Sequence, residues 1–203
     1  MNELLGVIIV VALVSTLLLS FHQASFSFKQ ESYKYNDNYN LQTEADIFRH
    51  KVRNLIVNAG YGMDSIGSTS VVEADSTKFV FLTNDPALGV VKTEISTRAF
   101  TTDPTYNPND FQIIHKINDV YSTDFSLVGL TRFSFEFYDN NFNLLSFPIS
   151  NMKDIKVIAY NYTIQGADPF ASGNTILNTD YPTTSGREVI FGKNLFDWNV
   201  IGG

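Results

Sequence analysis

Side chains that commonly carry catalysis or bind metal ions are scarce in this sequence. The 203 residues include no cysteine and only three histidines, at positions 22, 50 and 115. Thiolate–zinc sites, iron–sulfur clusters, disulfides and cysteine nucleophiles are therefore excluded, and a histidine-rich metal centre has too few ligands. We predict no catalytic residues, no metal site and no cofactor, and we expect that the protein is not an enzyme.

Motifs for phosphate or calcium binding are also missing or incomplete. The chain lacks a Gly-x-x-x-x-Gly-Lys-Ser/Thr phosphate loop. Asp139, Asn141 and Asn143 alternate like the first ligands of a calcium loop, but the glycine and the distal glutamate that should follow are not there. We interpret this segment as a hairpin turn.

Composition and charge restrict the partners of the chain. The formal net charge is −7, from 14 basic and 21 acidic residues, so we expect no nucleic-acid binding by a basic patch. Aromatic residues make up 14% of the chain, with 17 Phe and 10 Tyr, which favours strands and is too apolar for a disordered chain. The length suits one domain with an appended segment.

Glu3 is the acidic side chain whose position suggests a specific role. It precedes an apolar run from Leu4 to Leu19, and no charged residue occurs from Leu4 to Phe28. This uncharged stretch is long enough for a tilted helix to cross a hydrocarbon core of about 30 Å. The helix dipole stabilises a carboxylate at this end, but in a membrane the charge is costly unless it is paired. We therefore expect Glu3 to meet the N-terminal amine of a neighbouring subunit.

Two other interpretations of the apolar run stay open. A cleaved secretory signal peptide needs basic residues before the run, whereas Glu3 is the only charge there, and residues 20–24 approximate its cleavage site poorly. A plain signal anchor would instead hold a domain at the membrane without any assembly.

The segment from Glu3 to Leu13 resembles the N-terminal helix of type IV pilins and type II secretion pseudopilins, in which an acid and two leucines precede Val, Ile and Ala. The resemblance implies that Glu3 pairs with the amine of a neighbour's Met1 and fixes the axial register. It also implies a filament core built from apolar side chains, namely Leu4, Leu5, Val7, Ile8, Val11 and Leu13. The acid lies two residues after Met1, whereas the family places it four residues after the first mature residue.

Beyond residue 40 an apolar side chain recurs every three or four residues, which is the spacing of one helix face. The members of this stripe are Leu41, Ala45, Phe48, Val52, Leu55 and Ala59. We predict that the stripe packs on a sheet and that Gly60 and Gly62 end the helix. The polar, tyrosine-rich residues 29–40 mark the point where the chain leaves the apolar layer, helical or locally unwound.

The C-terminal two-thirds alternates with a period of two residues, which predicts short strands. The predicted strands are 70–74, 78–83, 90–97, 111–117, 131–138, 155–164 and 187–191. Short connections favour an antiparallel sheet, and one helix before all the strands favours an α+β fold with the helix on that sheet. We expect the loops at 101–110 and 166–186 to face outward and to contact partner subunits.

Four later segments extend the resemblance. Residues 53–63 are similar to the helix end of minor pilins of the PilW type, and segments 130–139, 154–160 and 191–195 follow in the order found there and in J-type subunits. The resemblance thus covers almost the whole chain. It implies a pilin-like fold with three parts, which are a filament-core helix (1–28), an amphipathic helix (29–62) and a β-rich head (63–203).

The resemblance implies a structural function as a minor, tip or priming subunit of a pilus-like filament or secretion pseudopilus. Its implied partners are other pilin or pseudopilin subunits, the inner membrane before assembly, a leader peptidase and the assembly machinery. The resemblance also implies that the protein lies in the inner membrane before assembly and in a cell-surface or periplasmic filament afterwards. Two alternatives stay open, which are the major subunit of such a filament and a membrane-anchored extracytoplasmic binding domain that never polymerises.

Overall fold

The computed structural model describes residues 2–63, 70–99, 110–122, 129–166, 181–192 and 195. Helix α1 spans Asn2–Val57 and includes residues 29–40, which are helical. The strands are β1 Val71–Ala74, β2 Lys78–Asp85, β3 Gly89–Ala99, β4 Phe111–Ile117, β5 Val120–Tyr121, β6 Leu130–Tyr138, β7 Val157–Gln165 and β8 Thr183–Phe191. A 3₁₀ turn, Met152–Asp154, precedes β7. The α+β class is confirmed, because a long N-terminal helix accompanies antiparallel sheets.

The chain forms two compact units, Met1–Asn40 and Leu41–Gly203. The first unit is helical throughout its described part. The second unit contains the last four turns of α1 together with the strands. The division falls inside the segment 29–62 that the resemblance treats as one amphipathic helix.

The strands form two sheets, so the expectation of one sheet is wrong. β1 to β5 pair in chain order as an antiparallel meander, and β6 to β8 pair in the same way. The sheets are joined where the Phe135 amide donates to the Ser76 carbonyl at 2.7 Å. The ring of Phe79 on β2 lies 5.3 Å from that of Phe137 on β6, between centroids. One aromatic core therefore serves both sheets.

The last strand begins earlier than the sequence predicts. β8 starts at Thr183 instead of residue 187, because β7 offers a pairing partner along its full length, from Val157 opposite Phe191 to Gln165 opposite Thr183. Residues 183–186, which are Thr, Thr, Ser and Gly, are polar and small, so the sequence predicts them as part of the loop at 166–186. The two-residue strand β5 was not predicted. Of the loop at 101–110, only Asp110 is described, and it is buried instead of facing outward.

The C-terminal part of α1 lies on the three-stranded sheet. The ring of Phe48 lies 6.0 Å from that of Phe133 on β6 and 5.3 Å from that of Tyr162 on β7. Five members of the predicted stripe are at most 5% exposed, namely Leu41, Ala45, Phe48, Val52 and Ala59, and the sixth, Leu55, is half-buried. Arg53 adds an ion pair to Glu188 of β8 at 2.8 Å.

After Val57 the chain turns back onto the first sheet through two glycines. Gly60 and Gly62 have φ angles of 77° and 68°, a region that side chains other than glycine rarely adopt. The Gly60 amide donates to the Leu82 carbonyl at 2.9 Å, and the Asn84 amide donates to the Tyr61 carbonyl at 2.7 Å. The helix end is thereby attached to β2.

Tyr160 attaches α1 to β7 through a buried hydroxyl. This hydroxyl donates to the Arg49 carbonyl at 2.9 Å, and burial raises the pKa of Tyr160, which keeps the donor protonated. Tyr160→Phe keeps the ring and removes the bond, so we expect the free energy of unfolding to fall by about 1–2 kcal/mol. A urea titration measures the loss. Tyr61→Phe, at an exposed ring, is the control, and an equal midpoint for both variants would contradict the prediction.

Candidate functional site

The first unit exposes a largely apolar surface from Leu4 to Phe28. None of its most apolar stretch is buried, and the helix is long and apolar enough to cross a membrane. The residues that the resemblance assigns to a filament core are 58–72% exposed, namely Leu4, Leu5, Val7, Ile8, Val11 and Leu13. An apolar surface of this length is stable in lipid or against other apolar helices and is unfavourable in water.

The polar side chain of Thr16 within this run is satisfied by the helix itself. Its hydroxyl lies 3.1 Å from the Ala12 carbonyl and 2.9 Å from the Leu13 carbonyl, and donates to them. A hydroxyl bound in this way needs no water partner. The run is therefore compatible with a hydrocarbon environment at this position.

Glu3 is exposed in the first turn of α1, where the free backbone amides favour a negative charge. Met1, whose amine the resemblance assigns as its partner, lies outside the described residues. None of the described residues forms an ion pair with Glu3. The next charged side chain along the helix is Lys29. Within the part of the chain that the structure describes, the carboxylate therefore has no charged partner.

Exposed tyrosines follow the apolar run. Tyr33, Tyr35 and Tyr39 are each more than half exposed, and they lie close in sequence to Lys29 and Lys34. Tyrosine is enriched where membrane-spanning segments meet the headgroup region, since its ring is apolar and its hydroxyl is polar. This distribution indicates the end of the membrane-compatible segment.

A second candidate surface is the face of the three-stranded sheet that points away from α1. Strand register places Arg132, Thr163 and Ser185 in one row across β6, β7 and β8. The next row is Ser134, Asn161 and Arg187, and Glu136 follows on β6. We call these seven residues the polar sheet face.

Glu136 is the centre of a hydrogen-bond network on the polar sheet face. Its carboxylate accepts from the Tyr138 hydroxyl at 2.6 Å, from Asn161 Nδ2 at 2.9 Å and from Arg187 at 3.0 Å. Arg187 also donates to the Tyr138 hydroxyl at 2.8 Å. The Tyr138 bond, with those from Arg187 and Asn161, lowers the pKa of Glu136 despite partial burial. The carboxylate is therefore ionised at neutral pH.

A shallow depression of about 470 Å³ lies beside this network. Arg132, Glu136, Asn161, Thr163 and Ser185 contribute to its lining. Its volume is within the range of small-molecule sites, although its lining is more polar than usual. Among the residues that the structure describes, no group of three or more His, Asp or Glu side chains is placed to hold a metal ion.

Sequence reasoning did not identify the polar sheet face as a candidate site. The strict alternation of 131–138 was recognised, and it places Arg132, Ser134 and Glu136 on one face. Their partners on β7 and β8 depend on register between strands that are distant in sequence. The sequence also does not predict the early start of β8, which places Ser185 beside Thr163.

Comparisons of the chain with protein-family models, with curated proteins and with solved structures find no match. The description of the fold class and of the exposed apolar helix therefore rests on the sequence and structure of this chain. They define an α+β protein with a helix that could anchor it in a membrane.

Proposed function

We propose that this chain is a structural subunit of a type IV pilus-like filament or secretion pseudopilus, with a pilin-like fold, and that it acts as a minor subunit at the tip or in priming. The observation that carries the proposal is the exposed apolar helix headed by Glu3, on a chain whose other unit is a folded α+β domain. The subunit waits in the inner membrane and then moves into the filament.

Transfer from lipid to filament requires a helix that is stable in both surroundings. The exposed apolar side chains from Leu4 to Leu19 meet this requirement, since lipid tails and neighbouring helices are both apolar. The internally bonded hydroxyl of Thr16 is also tolerated in both. Anchoring and assembly can therefore use the same surface.

Glu3 gives the assembled state its register. A carboxylate in apolar surroundings is costly unless an opposite charge neutralises it. The amine of a neighbouring subunit supplies that charge only at one axial offset between the two helices. Ion pairing at Glu3 thus favours one axial offset between neighbouring helices over all other offsets.

The second candidate function is a membrane-anchored domain that never polymerises, and the same exposed helix supports it. An anchor needs the apolar run but has no use for Glu3. The two functions therefore differ in what they require of this one side chain. A major subunit differs from a minor one only in copy number within the filament.

Glu3→Ala is expected to lower the amount of this protein in sheared surface filaments at least tenfold, with its membrane level unchanged. The loss follows because the variant inserts normally but cannot neutralise a neighbour's amine. Quantitative immunoblotting of the sheared and membrane fractions measures it. Glu31→Ala, at an exposed position of the same helix, is the matched control. Normal recovery of Glu3→Ala in filaments, or no wild-type protein in them, would support the anchored domain instead.

A further inference from the structure

Arg132 is an exposed cation on the polar sheet face. It lies within β6, and none of the described residues forms a hydrogen bond or an ion pair with its guanidinium. Arg187, in the next row, is by contrast engaged by Glu136 and Tyr138. An arginine held on a strand presents a planar set of donors that matches a carboxylate in a bidentate pair.

Hydroxyl and amide groups adjoin Arg132 in the same depression. Thr163 follows it in the row, and the Thr163 and Ser185 hydroxyl oxygens lie 3.0 Å apart. Asn161 donates Nδ2 to Glu136, which turns its Oδ1 atom away from that carboxylate as an acceptor. The depression thus offers the Arg132 guanidinium, two hydroxyls and one amide oxygen.

A bare anion would use only Arg132 in this depression. Glu136 borders the same depression, but its charge is paired with Arg187 at 3.0 Å, and Asn161, Thr163 and Ser185 contribute uncharged polar groups to the lining. A ligand that fits carries its negative charge at one end and hydroxyl donors at the other. The hydroxyls can then donate to Asn161 Oδ1 and to the Thr163 and Ser185 oxygens.

We propose that the polar sheet face binds a saccharide that carries a carboxylate, of the uronic acid type. Arg132 pairs with the carboxylate, and Asn161, Thr163 and Ser185 bind the ring hydroxyls. The depression of about 470 Å³ accommodates a ligand of this size. This binding function is additional to filament assembly and does not depend on it.

Titration of the full chain in detergent micelles with glucuronic acid, glucose and acetate tests the site by amide chemical-shift changes. We expect saturable binding of glucuronic acid with a dissociation constant of about 1 mM, and binding of glucose and acetate at least tenfold weaker. The shifts should concentrate in β6, β7 and β8. Acetate binding as tightly as glucuronic acid would overturn saccharide recognition, and no saturation below about 50 mM would overturn the site altogether.

Arg132→Ala is expected to weaken glucuronic acid binding at least tenfold. Arg98→Ala, at an exposed arginine on β3 of the other sheet, is the matched control and should bind normally. Unchanged amide positions in β1 to β5 verify that Arg132→Ala is folded. Equal affinity of the two variants would overturn the assignment, whereas the filament proposal is tested at Glu3 and would be unaffected.

Discussion

Phe79→Ala is expected to lower the free energy of unfolding of the second unit by about 3–5 kcal/mol. Phe79 has no exposed surface, and its ring lies 5.0 Å from that of Phe81, 5.7 Å from that of Phe135 and 5.3 Å from that of Phe137. Truncation leaves a cavity where the two sheets meet, which rigid strands on both sides can fill only in part. Urea denaturation followed by near-ultraviolet circular dichroism measures the loss.

Phe191→Ala is the matched control for this prediction. Phe191 also lies in a strand, but it is 59% exposed, and among the described residues its ring contact is with the exposed Phe142. We expect a change below about 1 kcal/mol, since surface substitutions rarely alter stability more. A loss as small for Phe79→Ala would show that the sheets do not share one core.

The contact between the sheets also illustrates what the sequence could not predict. The alternation of Phe133, Phe135 and Phe137 on one face follows from the pleat of a single strand, and it was predicted. That Phe135 and Phe137 meet Phe79 of the other sheet depends on contacts between residues more than fifty positions apart. No local pattern distinguishes one large sheet from two that share a core.

The predicted bounds of the strands agree with the structure to different degrees, again because some contacts join residues that are distant in sequence. β4 has the predicted bounds of 111–117, because its apolar side chains mark it without reference to a partner. β8 begins at Thr183, where the side chains are small or polar and only pairing with β7 makes the segment a strand. Local composition thus determined the first strand, and tertiary pairing determined the start of the second.

The two candidate surfaces differ in the same way. The apolar helix is defined by the composition of consecutive residues. The sequence alone therefore predicts a segment that spans a membrane or packs in a filament core. The polar sheet face brings together Arg132, Asn161 and Ser185 from three strands. Its recognition required the register, which fixes the side chains that share a row.

Val14→Arg together with Leu17→Arg is expected to remove most of the protein from the membrane fraction. Both side chains are exposed near the middle of the run from Leu4 to Phe28. An arginine at the centre of a spanning helix costs about 2.5–3.5 kcal/mol, so the pair costs about 5–7 kcal/mol. Membrane fractionation with alkaline carbonate extraction measures the loss. Tyr33→Arg with Tyr35→Arg, beyond the run, should leave the protein in the membrane.

A double-arginine variant that resists carbonate extraction would contradict a spanning helix. Glu3→Ala and the arginine pair act at different steps if the chain is a filament subunit. The two arginines prevent membrane insertion and therefore also filament assembly. Glu3→Ala permits membrane insertion and prevents only filament assembly. An anchored domain would respond to the arginines and tolerate the loss of Glu3. The pair of variants therefore separates a helix that only holds the protein in the membrane from one that also positions its neighbours.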